Sequence, residues 1–428
     1  MRHWLLCLLV AAGVAAAAAQ PPAPPPSADS DLRFVLILSR HGVRSPIQRT
    51  DNDVGRFAAD PWPKWEVPPG ILTPHGERVM ELMGAYYRLE YTAQGLLTGD
   101  PARDAAGLFF RADANQRTTA SARAIGQGLV PGVAVVVHAF ATDRRGDPLL
   151  DPDGPLGRVD ADLRTASLLG RIGGDHRLLL EEYRPALETL ERVLVGGDGT
   201  PPPGKTSLLD LPANPALWQT AQHVVDALTL AYADGKPLAE VGWGRLHPAD
   251  MLPLMSLSAL NFNLTWATPL HAKAATSNLA YHLLATLEQA ARGQAVEGAL
   301  GSPGQRFVVL VGHDSNIIPL GSLLDLGWRV PGAPANPFLP GGALVFELRR
   351  RRADGEFLVR TSYVSPTLDQ SREARPFTLD HPPASAPIFV PDCSTAAPGY
   401  DAPLDRFAAH VRAAIDPQLI EPEPAEVR

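Results

Sequence analysis

The chain has 428 residues, of which 38 are Lys or Arg and 46 are Asp or Glu, giving a formal net charge of −8. A net acidic chain is a poor candidate for non-specific nucleic-acid binding, so a local cluster of arginines would have to hold any bound phosphate. The length exceeds what one hydrophobic core usually supports, which predicts two domains or a core with a large insertion.

Residues 1–19 are typical of a secretory signal peptide. A short basic start precedes an apolar run at residues 4–14, and small residues follow up to Ala19. Residues 20–30 are rich in proline and predict an extended spacer. No later run is long and apolar enough to span a bilayer. We therefore expect a periplasmic or secreted protein without a stable membrane anchor after cleavage, in which Cys393 is the remaining cysteine.

The first predicted strand, at residues 34–38, runs directly into Arg40, His41 and Arg44. Ligands of open α/β sheets bind beyond the carboxyl ends of the strands. Two guanidinium groups at such a position favour a phosphate or a carboxylate, because arginine presents paired donors in one plane. An imidazole between them can act as a nucleophile on the bound group.

The rest of the chain predicts a mixed α/β core with a helical insertion. Thr73 and Pro74 are typical of a helix start, and residues 145–264 have a mostly helical pattern that we interpret as an inserted cap domain. The core is expected at 31–144 and 265–416, followed by a tail at 417–428. Further core strands are predicted at 107–111, 133–139, 307–311, 342–349 and 357–364, and clear helices at 181–195, 218–232 and 274–291.

Two later strand ends also carry polar candidates. Arg117 follows the strand at 107–111, and His313 and Asp314 follow the strand at 307–311. A parallel sheet would bring these ends together with the first one. Hydrolysis of a phosphate monoester needs positive donors for the phosphate oxygens, an in-line nucleophile and a proton for the leaving oxygen.

Residues 40–46 read RHGVRSP and resemble the RHGxRxP motif of the histidine acid phosphatases, the second branch of the histidine phosphatase superfamily. The sequence at 312–314 is similar to the HD motif of that family, and Arg117 resembles its third phosphate-binding arginine. Longer segments, such as GGALVFELRRR, resemble the bacterial periplasmic phytase and glucose-1-phosphatase group.

This resemblance implies a phosphoglycerate-mutase-like α/β core, with sheet strands flanked by helices, and a helical domain. It implies hydrolysis of phosphate monoesters at acid pH without a metal or cofactor. His41 would be the nucleophile that forms a phosphohistidine, and Asp314 would be the proton donor. The remaining members of the motifs, Arg40, Arg44, Arg117 and His313, would bind the phosphate.

The substrate is the open part of the prediction. Some phytases of this group have lysine where this chain has Gln48, and HDT where it has Ser315 after Asp314. Arg49 could replace the missing charge, and Lys273 lies where the family often has a basic residue facing substrate phosphates. We expect a broad acid phosphatase that hydrolyses phytate (myo-inositol hexakisphosphate), with a glucose-1-phosphatase-like sugar-phosphate phosphatase as the alternative.

Three other classes of protein fit part of the pattern. A phosphomutase would use the same phosphohistidine, but its substrates are cytosolic and export argues against it. A non-catalytic phosphate-ester binding protein would need the arginines but would not need both His41 and Asp314. A metal-dependent phosphatase is disfavoured because no two histidines have the HxH or HExxH spacing of metal ligands. The sequence does not predict the oligomeric state.

Overall fold

The computed structural model describes residues 29–47, 54–140, 146–151, 154, 156–396 and 399–421. The predicted signal peptide and most of the spacer lie outside the described residues. Gln48 and Arg49, the two candidate substrate contacts after the first motif, also lie outside them.

A mixed sheet with the strand order β3-β2-β4-β1-β5-β6-β7 forms the centre of the fold, and β8 pairs with β6. Strands β3, β2, β4 and β1 run parallel, whereas β5, β6 and β7 are antiparallel to their neighbours. The mixed sheet confirms the predicted fold class. In the described part of the chain the strands are β1 (Ser30–Arg40), β2 (Leu108–Ala112), β3 (Val137–Ala139), β4 (Phe307–Gly312), β5 (Ala343–Arg351), β6 (Phe357–Ser365), β7 (Ala384–Ile388) and β8 (Ala402–Pro403).

Helices cover both faces of this sheet. Neighbouring side chains of β1 point to opposite faces, so Leu36 and Leu38 belong to one hydrophobic cluster and Val35 and Ile37 to another. Both faces are buried, which explains why β1 is a continuous apolar run rather than an alternating pattern. The described helices are α1 (Pro74–Ala93), α2 (Pro101–Ala105), α3 (Gln116–Leu129), α4 (Ala161–Arg171), α5 (His176–Val195), α6 (Pro215–Ala233), α7 (Pro248–Thr265), α8 (Pro269–Arg292), α9 (Asp314–Leu323), α10 (Leu368–Glu373) and α11 (Leu404–Ala414).

Helices α4 to α7 form a helical block, in which the described residues between 146 and 264 contain no strand. The block has its own hydrophobic cluster around Trp218, Leu187 and Leu257, and this cluster also receives Phe57 and Trp62 from the loop after the first motif. The block thus has a hydrophobic cluster of its own, and its assignment as a cap domain at residues 145–264 stays a prediction. The packing of residues 54–62 on the block differs from their predicted place in the core.

Local differences from the predicted elements are small and have simple causes. Thr73 does cap α1, since its hydroxyl accepts a hydrogen bond from the Gly76 amide. The strand predicted at 133–139 is shorter, because β3 pairs with β2 only at residues 137–139. The first residues of the predicted tail are docked rather than free, since the Glu421 amide donates to Asn278 Oδ1 of α8 over 3.0 Å.

Candidate active site

The ends of β1, β2 and β4 lie side by side at one edge of the sheet. Arg40 of β1 is in register with Gly312 of β4, and Ala112 of β2 is in register with Val311. The residues that follow each strand are therefore brought to one place, as predicted. A cleft of about 720 Å³, including its open mouth, lies at this edge and is lined by His41, Arg44, Ile47, Asp113, Asn115, Arg117, Asp151, Trp266, His313, Asp314 and Ser315.

His41 is buried at the base of this cleft, and its backbone is held on both sides. Its amide donates to Gly312 O over 3.0 Å, and its carbonyl accepts from the Gly341 amide over 3.0 Å. The next residue, Gly42, packs closely on α1, because a Cβ there would lie 2.7 Å from Met80 Cγ. Gly42 thus permits this close contact with α1.

The ring of His41 has a defined tautomer. Its Nδ1 lies 2.8 Å from Gly42 O, and a carbonyl can only accept, so Nδ1 carries the proton. The lone pair is then on Nε2. Burial, followed by the charges of Arg40 and Arg44, lowers the pKa of His41 well below its ordinary value. His41 therefore stays neutral in mild acid and can act as a nucleophile there.

The two arginines of the first motif are buried beside this ring. Arg40 Nη2 lies 2.7 Å from Asp314 Oδ2, and its Nη1 donates to Phe338 O over 2.5 Å. Arg44 Nη1 donates to Ser45 O over 3.0 Å. Burial, followed by repulsion from Arg40, lowers the pKa of Arg44 to about 10, so it remains charged throughout the acid range.

His313 and Asp113 form an ion pair that the sequence reasoning missed. His313 Nε2 donates to Asp113 Oδ2 over 2.7 Å, and the imidazole meets the His41 ring edge-on with 5.5 Å between ring centroids. Burial raises the pKa of Asp113, but the hydrogen bond and charge of His313 outweigh it and lower the pKa to about 2. Asp113 directly follows β2, so its position at a strand end was the available signal.

Two helices begin at the cleft and turn their first residues towards it. Arg117 lies in the first turn of α3, where its Nη1 donates to Asn115 Oδ1 over 3.2 Å. Asp314 is the first residue of α9, and Asn316 Oδ1 accepts from the His313 amide over 2.8 Å. Amides and partial positive charge at helix N-termini favour a bound anion. The cleft is therefore suited to a phosphate.

Not every candidate reaches this cleft. Lys273 is exposed in the second turn of α8 and is absent from the residues that line the cleft. Trp266, which follows α7, does line it and also contacts the His271 ring, with 4.7 Å between centroids. No motif marked Trp266, because its place depends on how the helical block packs on the core. Within the described ranges, no three His, Cys, Asp or Glu side chains are grouped to hold a metal ion.

The comparisons with known proteins agree with this geometry. Residues 31–177 match the model of the histidine phosphatase superfamily (branch 2). The phytase AppA of Escherichia coli is 31% identical over 85% of this chain and 87% of its own length. A glucose-1-phosphatase of Salmonella typhimurium is 27% identical over 88% and 91%.

Solved structures give the same result. The Hafnia alvei phytase in complex with tartrate has a TM-score of 0.82 and 28% identity, covering 93% of this chain and all of that one. The Citrobacter braakii phytase has a TM-score of 0.80 and 28% identity, covering 91% and 99%. The arrangement of helices on both faces of a mixed sheet is therefore shared with known phytases.

Proposed function

Since this chain belongs to the histidine phosphatase superfamily (branch 2), we propose that it is an acid phosphomonoesterase that works through a phosphohistidine. The observation that carries this proposal is the state of His41. Its Nε2 lone pair is free, its ring is neutral in mild acid, and it lies between two buried arginines. Such a group is prepared to attack a phosphorus atom whose oxygens the arginines bind.

In the first step, His41 Nε2 forms a bond to phosphorus and the bond from phosphorus to the ester oxygen breaks. The leaving alkoxide takes a proton from the Asp314 carboxyl group, which must be protonated beforehand. Arg40, Arg44 and Arg117 offset the charge on the phosphate oxygens, and His313, oriented by Asp113, donates a further hydrogen bond.

In the second step, water attacks the phosphohistidine while the Asp314 carboxylate accepts its proton. The bond between phosphorus and Nε2 breaks, phosphate leaves, and His41 returns to its neutral form. Every proton moved in this cycle is accounted for by Asp314 and water. The chain's own residues thus supply the nucleophile, the acid and the base.

The proposed substrates are small phosphate monoesters, with phytate among them. Support comes from the relatives, which are named as phytases and glucose-1-phosphatases. A specific observation favours the second candidate, a sugar-phosphate phosphatase: Ser315 lines the cleft at the position where some phytases of the group have threonine. Measured rates on the two substrates distinguish these candidates.

We also infer that the protein is exported to the periplasm or secreted, because residues 1–19 have the pattern of a signal peptide. Among the residues described by the structure, no helix is long and apolar enough to cross a membrane. Cell fractionation of the full-length chain, with mass measurement of the mature N-terminus, tests this inference.

Phosphate release at acid pH tests the activity. Phytate, glucose 1-phosphate and p-nitrophenyl phosphate are each offered with a chelator present. We expect His41→Ala to lower release about 10⁴-fold or more, since removing a nucleophile has effects of that order. His381→Ala, which changes an exposed histidine, is the matched control.

Equal release by the wild type and His41→Ala would overturn the proposed nucleophile. Loss of wild-type activity to the chelator would favour a metal-dependent enzyme. A folded wild type that releases phosphate from none of the substrates would favour a binding protein.

A further inference from the structure

Asp226, a carboxylate of the helical block, lies close to the phosphate-binding arginines without contacting them. It is on α6 and lines a cavity of about 440 Å³ between the block and the loop before β5, together with Arg40 and Ser258. Its Oδ2 accepts from Gln222 Nε2 over 2.5 Å, and its Oδ1 accepts from Ser258 Oγ over 3.1 Å. Both donors are neutral, so the charge of Asp226 is not cancelled by a direct ion pair.

The charges that face Asp226 come from three elements. Arg40 is the last residue of β1, Arg44 is in the loop that follows, and Asp314 starts α9. Burial, opposed by the charges of Arg40 and Arg44 and aided by Asp314, raises the pKa of the Asp226 carboxyl group. The donors on α6 and α7, Gln222 and Ser258, do not titrate.

We propose that Asp226 is a proton-controlled counter-charge that sets how tightly the arginines bind phosphate. When ionised, it attracts Arg40 and Arg44 in the empty site and repels an incoming phosphate dianion. When protonated, it no longer attracts the two arginines, which are then available to bind phosphate. Anion binding at this site is therefore coupled to uptake of a proton by Asp226.

This inference rests on the proposed function only for the identity of the natural anion, and it adds a positioning residue from outside the known motifs. Acid pH would then favour anion binding, because it protonates Asp226. The cavity provides a route by which water can exchange protons with Asp226.

The test is the binding of inorganic sulfate, measured calorimetrically across the acid range. Sulfate keeps its charge over that range and is not turned over, so its binding is independent of catalysis. All proteins carry Asp314→Asn, which removes the other carboxylate that faces the arginines. We expect the sulfate dissociation constant to rise about tenfold from pH 4 to pH 7, within the usual range of coupling between two sites.

In Asp226→Asn, sulfate binding at pH 7 should be tighter than in the Asp314→Asn parent, and its dependence on pH should be clearly smaller. Ser258→Ala keeps the carboxyl group of Asp226 but removes a hydrogen bond that favours its ionised form. The midpoint of the change in sulfate affinity should therefore move to higher pH, and the pH dependence should remain. A merely structural role of Asp226 would not give one variant with a reduced pH dependence and another in which only its midpoint moves.

The outcomes separate the two proposals. The same pH dependence in Asp226→Asn and its parent, or an unchanged midpoint in Ser258→Ala, would overturn the role of Asp226. Failure of the phosphate-release experiment with intact, Asp226-dependent sulfate binding would overturn the enzymatic function and leave this coupling in place.

Discussion

The sheet edge and the helical block contribute to the cleft in different ways. At the sheet edge, the backbone of His41 is hydrogen-bonded to Gly312 and Gly341. These bonds fix the position of the backbone from which the imidazole ring extends. The helical block contributes Asp226 on α6, which is joined to the core by side-chain hydrogen bonds such as that from Tyr232 Oη to Asp369 Oδ1, and Trp266 follows the last helix of the block. We infer that the edge carries out the chemistry and that the block adjusts binding, because reacting groups need the more rigid support.

The largest effect at the edge should come from Asp314→Asn. An amide has no proton to give to the leaving oxygen, so formation of the phosphohistidine from glucose 1-phosphate should slow by about 10²- to 10⁴-fold. p-Nitrophenyl phosphate should be affected far less, because its leaving group departs without a proton. Single-turnover rates of phosphoenzyme formation measure both. An equal fall in the rate of phosphoenzyme formation with both substrates would contradict the proton-donor role of Asp314.

Asp113→Asn tests the support of His313 and should have an intermediate effect. The folded-state pKa of Asp113, about 2, lies below its ordinary value of 3.8. The ionised carboxylate therefore stabilises the fold above pH 3.8, by about 2 kcal/mol, and this contribution is lost as the pH falls through 2. Urea unfolding at pH 6 and at pH 2 measures the difference.

Asp113→Asn should thus be less stable than the wild type at pH 6, and the gap should narrow in strong acid. The activity should also fall, since His313 loses the carboxylate that orients it. A stability gap that does not change with pH would mean that the ion pair is not its source.

The block should give a smaller effect, in binding rather than turnover. Trp266→Ala removes an aromatic wall of the cleft, and aromatic contacts are worth about 0.5–1.5 kcal/mol, so KM should rise by about 2- to 10-fold with kcat nearly unchanged. Steady-state kinetics on glucose 1-phosphate measure this split. A comparable fall in kcat would show that the block also positions the reacting groups.

The smallest effect should come from Lys273→Ala. Lys273 is exposed on α8 and does not line the cleft, so KM for phytate should change by less than about twofold. Trp266→Ala in the same assay is the positive control. A large rise in KM for phytate alone would show that Lys273 reaches the outer phosphates of this substrate.

Much of the site could be predicted because its residues are local to strong patterns. Arg40, His41 and Arg44 follow one apolar strand, and His313 and Asp314 follow another, so a parallel sheet was enough to bring them together. The partners of these residues were harder to find. Asp113 pairs with His313, which is 200 positions away, and nothing in either segment by itself specifies that pair.

The sequence by itself determined strands β1 to β6, several of the helices, the family and the residues proposed for the chemistry, because hydrophobic periodicity and short motifs are local properties of the chain. Only the tertiary structure decided which nitrogen of His41 is free, that Gly42 serves packing on α1, that Lys273 stays outside the cleft, and that Asp226 and Trp266 lie beside it. These features depend on contacts between segments distant in the chain, whose geometry is fixed only when the helical block packs on the sheet.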